Sequence, residues 1–188
     1  LASAGDDVES VVVDANSMSI TITDVDTVDT VAVSDAGTAM VTIEDVNSGN
    51  TVALTGSDNA KITGGSTLTL NVSDVNAEVE IATTTTNTLT IDVADSTDNA
   101  FDLVATAMTV LTVTGGGALT ISNEFGDTEL ADVTQIDGSS ATGAINVTVD
   151  GTTLTDVDTG SAGDMLHIKD SAAAATFSTN SGNDTVEI

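Results

Sequence analysis

The chain has 188 residues, of which two are basic and 30 acidic, for a net charge of −28. It lacks the Lys and Arg that displace counterions from a phosphate backbone or an anionic membrane surface, so nucleic acid is excluded as a partner and cations are the natural small ones. With 40% hydrophobic residues it is too apolar for a disordered acidic chain, and without Cys it has neither disulfides nor thiolate metal sites.

Val, Ala, Leu and Ile supply most of the apolar residues, Thr is abundant, and Pro, Trp and Tyr are absent. This composition favours aliphatic β-structure. Apolar pairs flanking one residue recur along the chain: Val11 and Val13, Ile20 and Ile22, Val31 and Val33, Val41 and Ile43, Val52 and Leu54. They continue as Leu68 and Leu70, Val79 and Ile81, Leu89 and Ile91, Leu111 and Val113, Leu119 and Ile121, Ile145 and Val147, Leu166 and Ile168, and Val186 and Ile188. Each pair reads as a strand with one buried face, and the Gly, Asn, Asp and Ser clusters between pairs read as turns. The segment from Asn99 to Met108 reads either as a short helix or as a coil excursion, and the run Thr83 to Thr86 as a Thr-lined strand or corner.

Strand signals every ten residues or so fit two all-β architectures: a right-handed parallel β-solenoid with about 20 residues per coil, and tandem immunoglobulin-like sandwiches. Only three Phe are present, and small aliphatics suit solenoid ladders better than a sandwich interface, so the solenoid is favoured. The expected rod has about nine coils spaced ~4.8 Å apart, with Ile20, Ile22, Leu68, Leu70, Leu89, Ile91, Leu119, Ile121, Ile145 and Val147 pointing inward. No composition break divides residues 1–188, which read as one domain, and the start at Leu1 without Met points to a segment of a longer or processed chain. No apolar run approaches the ~18 residues of a spanning helix, so no membrane insertion is expected.

Two turns near the C-terminus carry the most specific signal. They are Thr159-Gly-Ser-Ala-Gly-Asp-Met-Leu-His-Ile168 and Thr179-Asn-Ser-Gly-Asn-Asp-Thr-Val-Glu-Ile188, with Asp158 just ahead of the first. Gly182, Asp184 and Val186 match the last Gly, the Asp and the aliphatic of the Ca²⁺-binding β-roll nonapeptide G-G-x-G-x-D-x-U-x, while Gly160, Asp164 and Leu166 match it less fully, with Ala162 in a Gly position. Glycine permits the tight turn and Asp offers a hard oxygen ligand. Asp164 and Asp184 are one coil length apart, so Asp158, Gly160, Asp164, Gly182, Asn183 and Asp184 are the candidate Ca²⁺ ligands. The bland reading is that Gly, Asn and Asp are simply what turns contain.

Taken with Leu111-Thr-Val-Thr-Gly-Gly-Gly-Ala-Leu-Thr-Ile121 and Ile136-Asp-Gly-Ser-Ser-Ala-Thr-Gly-Ala-Ile-Asn-Val147, these turns resemble RTX-type bacterial surface-layer proteins and large secreted RTX adhesins, over about residues 107–188. The resemblance implies type I secretion to the cell surface, Ca²⁺-dependent folding, and self-assembly into a lattice or filament, with cell-surface polysaccharide as a further partner. The chain departs from the pattern in lacking uninterrupted GGxGxD runs.

Catalytic templates find no match. The single His, His167, has no G-x-S-x-G elbow to serve, and Gly115 to Gly117 do not extend into a phosphate-binding loop. The carboxylate pairs Asp24/Asp26, Glu78/Glu80 and Asp156/Asp158 lack the aromatic walls of a sugar cleft. A structural role is therefore expected rather than an enzymatic one. A less favoured alternative comes from Thr-x-Thr at Thr21/Thr23, Thr67/Thr69, Thr88/Thr90 and Thr112/Thr114, which resembles the ranked faces of ice-binding β-solenoids. The intervals between these pairs are too irregular to predict one array.

Overall fold

Alternating apolar residues give each strand one face to bury, and this chain buries it by stacking each strand on the one a coil earlier. The computed structural model describes residues 9–82, 86–94, 97–122, 130–150, 153–169 and 175–188, and all its named elements are strands. They are β1 (Ser10–Asp14), β2 (Ile20–Ile22), β3 (Thr30–Val46), β4 (Thr51–Gly64), β5 (Thr67–Ser73), β6 (Glu78–Ile81), β7 (Thr88–Val93) and β8 (Asn99–Val104). The remainder are β9 (Val110–Gly115), β10 (Leu119–Ser122), β11 (Gln135–Asp137), β12 (Ile145–Asp150), β13 (Asp156–Thr159), β14 (Met165–Lys169), β15 (Thr176–Thr179) and β16 (Thr185–Glu187).

Every pairing among them is parallel, which rules out the antiparallel sandwich. The fold is a β-solenoid of about eight turns, one fewer than the sequence spacing suggests. Odd strands β5 to β15 form one rank and even strands β6 to β16 the other, while β3 and β4 run through a corner and contribute to both. Coil length varies: Leu70 sits beside Val52, 18 residues on, whereas Ile136 sits beside Leu111, 25 residues on. The variation lies in the connections, so the ladders stay in register. The Asn99 to Met108 segment resolves as β8 followed by a turn, with Met108 buried. Of the Thr83 to Thr86 run only Thr86 is among the described residues, and its Oγ1 lies 2.6 Å from the Gly65 carbonyl oxygen.

The core is a set of aliphatic columns. Val31, Val52, Leu70, Ile91 and Val113 stack through five coils on the odd rank, and Phe101, Ile121, Val147, Leu166 and Val186 through five partly overlapping coils on the even rank. All the expected inward residues face this core; Ile20 and Ile22, in an end coil, are only partly buried. Fully burying each such side chain contributes about 1.5–3 kcal/mol.

Corners are made by a recurring Asp-aliphatic step. Asp24, Asp45 and Asp74 adopt φ of 58°, 62° and 57°, and the following Val25, Val46 and Val75 turn into the core. Aspartate tolerates this left-handed backbone better than most residues because its short carboxylate can bond locally. Part of the acidic content is thus corner chemistry. Side chains then stitch one coil to the next: Asn59 Nδ2 donates to the Thr38 carbonyl at 2.8 Å, and Asn47 and Asn50 donate likewise to Asp26 and Val28. Thr109, Thr134 and Thr155 each donate a hydroxyl to a carbonyl one coil back, at 3.0, 3.0 and 2.9 Å.

Candidate metal corner

The corner leading into the even rank has a column of residues set by strand register. Leu119 pairs with Asn99 and with Ile145, and the pairings of β12 with β14 and of β14 with β16 place Asp164 beside Ile145 and Asp184 beside Asp164. Leu119 and Ile145 point inward, so Asp164 occupies a core-facing position and is only 3% exposed. A carboxylate there must be hydrogen-bonded or it costs several kcal/mol.

One oxygen is accounted for. Asp164 Oδ1 accepts the Ile145 N–H at 2.8 Å, and Asp184 Oδ1 accepts the Asp164 N–H at 3.0 Å. The same device occurs at Asn99, whose Oδ1 accepts the Val75 N–H at 3.0 Å. Each of these side chains ties its corner to the previous coil. The difference lies in the second atom: Asn99 Nδ2 donates to the Thr97 carbonyl at 3.2 Å, whereas Asp164 Oδ2 is buried with no hydrogen-bond partner. Thr159 Oγ1, which faces inward at the end of β13, is buried and unpartnered as well.

The glycines of the two turns are required by close coil-to-coil approach. A Cβ at Gly182, where φ is +126°, would lie 1.9 Å from the Ala162 carbonyl oxygen, and one at Gly160 would lie 2.5 Å from that of Ala141. Ala162, in the place of a motif glycine, supplies the carbonyl that Gly182 packs against. Gly163 lies against the main chain of Asn183, which is exposed. Five of the six candidate ligands, Gly160, Asp164, Gly182, Asn183 and Asp184, thus belong to two stacked turns. Asp158 does not join them. It sits on the outer face of β13, stacked between Asp137 and Ser178, because strand alternation turns it away from the interior.

Among the described residues no group of three or more His, Cys, Asp or Glu side chains comes together in a way that could hold a metal ion. A cation at this corner would take carboxylate oxygen from Asp164 and Asp184 and its remaining ligands from main-chain carbonyls, a donor set that suits Ca²⁺ rather than a transition metal. His167 faces outward: its Nδ1 lies 3.0 Å from Glu187 Oε2, an exposed pair across adjacent coils. Two features escape a sequence reading, the Asn99–Asp164–Asp184 corner device and the register of the outer Thr residues. Both depend on which residues stack, and only the first left a trace, as Asn or Asp immediately ahead of an alternating strand.

No family model, no curated protein and no solved structure matches the chain. No helix among the described residues is long and apolar enough to cross a membrane.

Proposed function

We propose that the protein is a structural, non-enzymatic component of an extracellular bacterial surface layer or filament, self-assembling and stabilised by calcium. The observation that carries this reading is the buried, unpartnered Oδ2 of Asp164 stacked against Asp184, in a chain whose net charge is −28. A divalent ion at that corner offsets the burial cost of the carboxylate and relieves repulsion between coils. Binding that favours the folded state by RT ln(1 + [L]/Kd) contributes about 2.7 kcal/mol at a hundredfold excess over Kd, a large share of ordinary domain stability. Ca²⁺ is preferred over Mg²⁺, because an irregular cage built largely of carbonyls suits the larger ion.

The RTX resemblance supports type I export and a cell-surface location, where polysaccharide is the available anchor. Electron microscopy of purified protein before and after Ca²⁺ addition tests the assembly. Ca²⁺-dependent sheets or filaments support a lattice component; particles that stay dispersed at millimolar Ca²⁺ contradict self-assembly and leave the adhesin reading.

A further inference from the structure

The geometry points to a second function, independent of calcium and of assembly: the outer face of β3, β4, β5, β7 and β9 is a docking surface for the ordered water of an ice plane. Thr30, Thr51, Thr69, Thr90 and Thr112 occupy one ladder on five successive coils, each paired directly with the next. The sequence hides this, since Thr30 belongs to no Thr-x-Thr pair and the coils differ in length. Thr67 and Thr88 form a second column on one side, and Ala32 and Ala53 keep the other side low. Thr112-x-Thr114 falls one step out of phase, so Thr114 stacks on Asp92 and donates to its carboxylate at 2.9 Å.

Strand geometry gives this array its spacing, ~4.8 Å from coil to coil and ~6.7 Å between alternate residues along a strand. Those repeats lie close to oxygen repeats in hexagonal ice, and the stiff χ1 of Thr holds hydroxyl and methyl in fixed positions. Among the described residues these hydroxyls have no protein partner, which leaves them to bind water. Thr30, Thr51, Thr67, Thr69, Thr88, Thr90 and Thr112 make no side-chain hydrogen bond within the protein among the described residues, whereas the corner residues Thr109, Thr134 and Thr155 all spend theirs on a neighbouring coil. Hydroxyls held apart at such repeats order bridging water at low entropic cost, and the intervening methyls order the layer around them.

Other occupants fit less well. The face has no aromatic residue to stack on a sugar ring, and an exposed apolar side chain, Val12 of β1, adjoins it only at its edge, stacked on Ala32. Charge has been kept off it apart from Asp92, although Glu44, Lys61, Glu78 and Glu80 stand on the even-rank strands. A fixed charge imposes its own hydration shell and would break a flat water lattice.

Ice-recrystallisation inhibition and thermal hysteresis are measured on wild type, on Thr69→Lys/Thr90→Lys at the centre of the array, and on Thr21→Lys on the other rank. Circular dichroism checks that each variant keeps its fold. The expected result is that wild type and Thr21→Lys inhibit recrystallisation and Thr69→Lys/Thr90→Lys loses the activity while folded. The inference is overturned if wild type shows neither effect, or if the folded double variant retains it. It is equally overturned if the double substitution abolishes binding to crystalline cellulose or chitin, or converts a wild-type dimer to a monomer, with no change toward ice.

Discussion

One outer ladder, between its terminal residues Ser10 and Ser178, divides the molecule in two. Thr30, Thr51, Thr69, Thr90 and Thr112 fill it through five coils, and then, at the same strand position, come Asp137 and Asp158. The inner corner column changes in the same direction, from Leu119 and Ile145 to Asp164 and Asp184. Main-chain pairing is indifferent to this switch, since every rung remains a parallel bridge. What changes is the solvent each region asks for. Among the described residues the ladder hydroxyls have no protein partner, while the carboxylate region places like charges one coil apart, a repulsion that the proposed cation would relieve.

The aliphatic core is common to both regions, so breaking it erases the comparison and has the largest effect. Leu89→Ala, in a fully buried position at mid-stack, is expected to cost about 2–5 kcal/mol, read from the urea midpoint. A midpoint shift below that range would mean that the coils unfold independently of one another.

Next comes the corner. Asp164→Ala leaves the buried Ile145 N–H without an acceptor and is expected to cost about 1–3 kcal/mol in chelator. Asp164→Asn keeps the acceptor, as Asn99 does one region earlier, and should cost clearly less. Equal losses for the two variants would show that the carboxylate itself, not the hydrogen bond, holds the corner in the absence of metal.

Smaller effects sharpen the contrast on the outer face. Thr134→Val removes a hydroxyl that donates to the Thr109 carbonyl and is expected to cost about 0.5–1.5 kcal/mol, whereas Thr69→Val, with no partner to lose, should stay within about 0.5 kcal/mol. Asp158→Asn relieves repulsion with Asp137 and is expected to stabilise by about 0.2–1 kcal/mol at low salt without Ca²⁺. Added salt should erase that gain, because partly exposed charges are screened. A gain that survives at high salt would point to a cause other than repulsion.

Much of this fold was legible in the residues. The period-two pairs all mark strands, although β8, β11, β13 and β15 carry none of them and Ile188 falls just past β16, exposed; the Gly-Asp turns stack as their equal spacing implies, because alternation and turn chemistry are local properties. Register is not local. Coil lengths of 18 to 26 residues leave pairs such as Val52 and Leu70 or Leu119 and Ile145 aligned only after the connections have absorbed the difference. The Thr ladder was therefore invisible in the spacing of Thr-x-Thr, and Asp158 looked like a neighbour of Asp164 when strand alternation puts it outside. The Asp-Val steps at Asp24, Asp45 and Asp74 were present in the sequence; their meaning as left-handed corners appears only once φ is known.

Calorimetric titration of Ca²⁺ into chelator-treated wild type and into Asp164→Asn/Asp184→Asn tests the proposed calcium corner most directly. Both proteins keep the acceptors that join coil to coil, so both should fold, and only wild type should bind Ca²⁺ and gain thermal stability from it. If wild type binds no Ca²⁺, or the Asn variant binds it as tightly, the corner carboxylates are hydrogen-bond acceptors and nothing more.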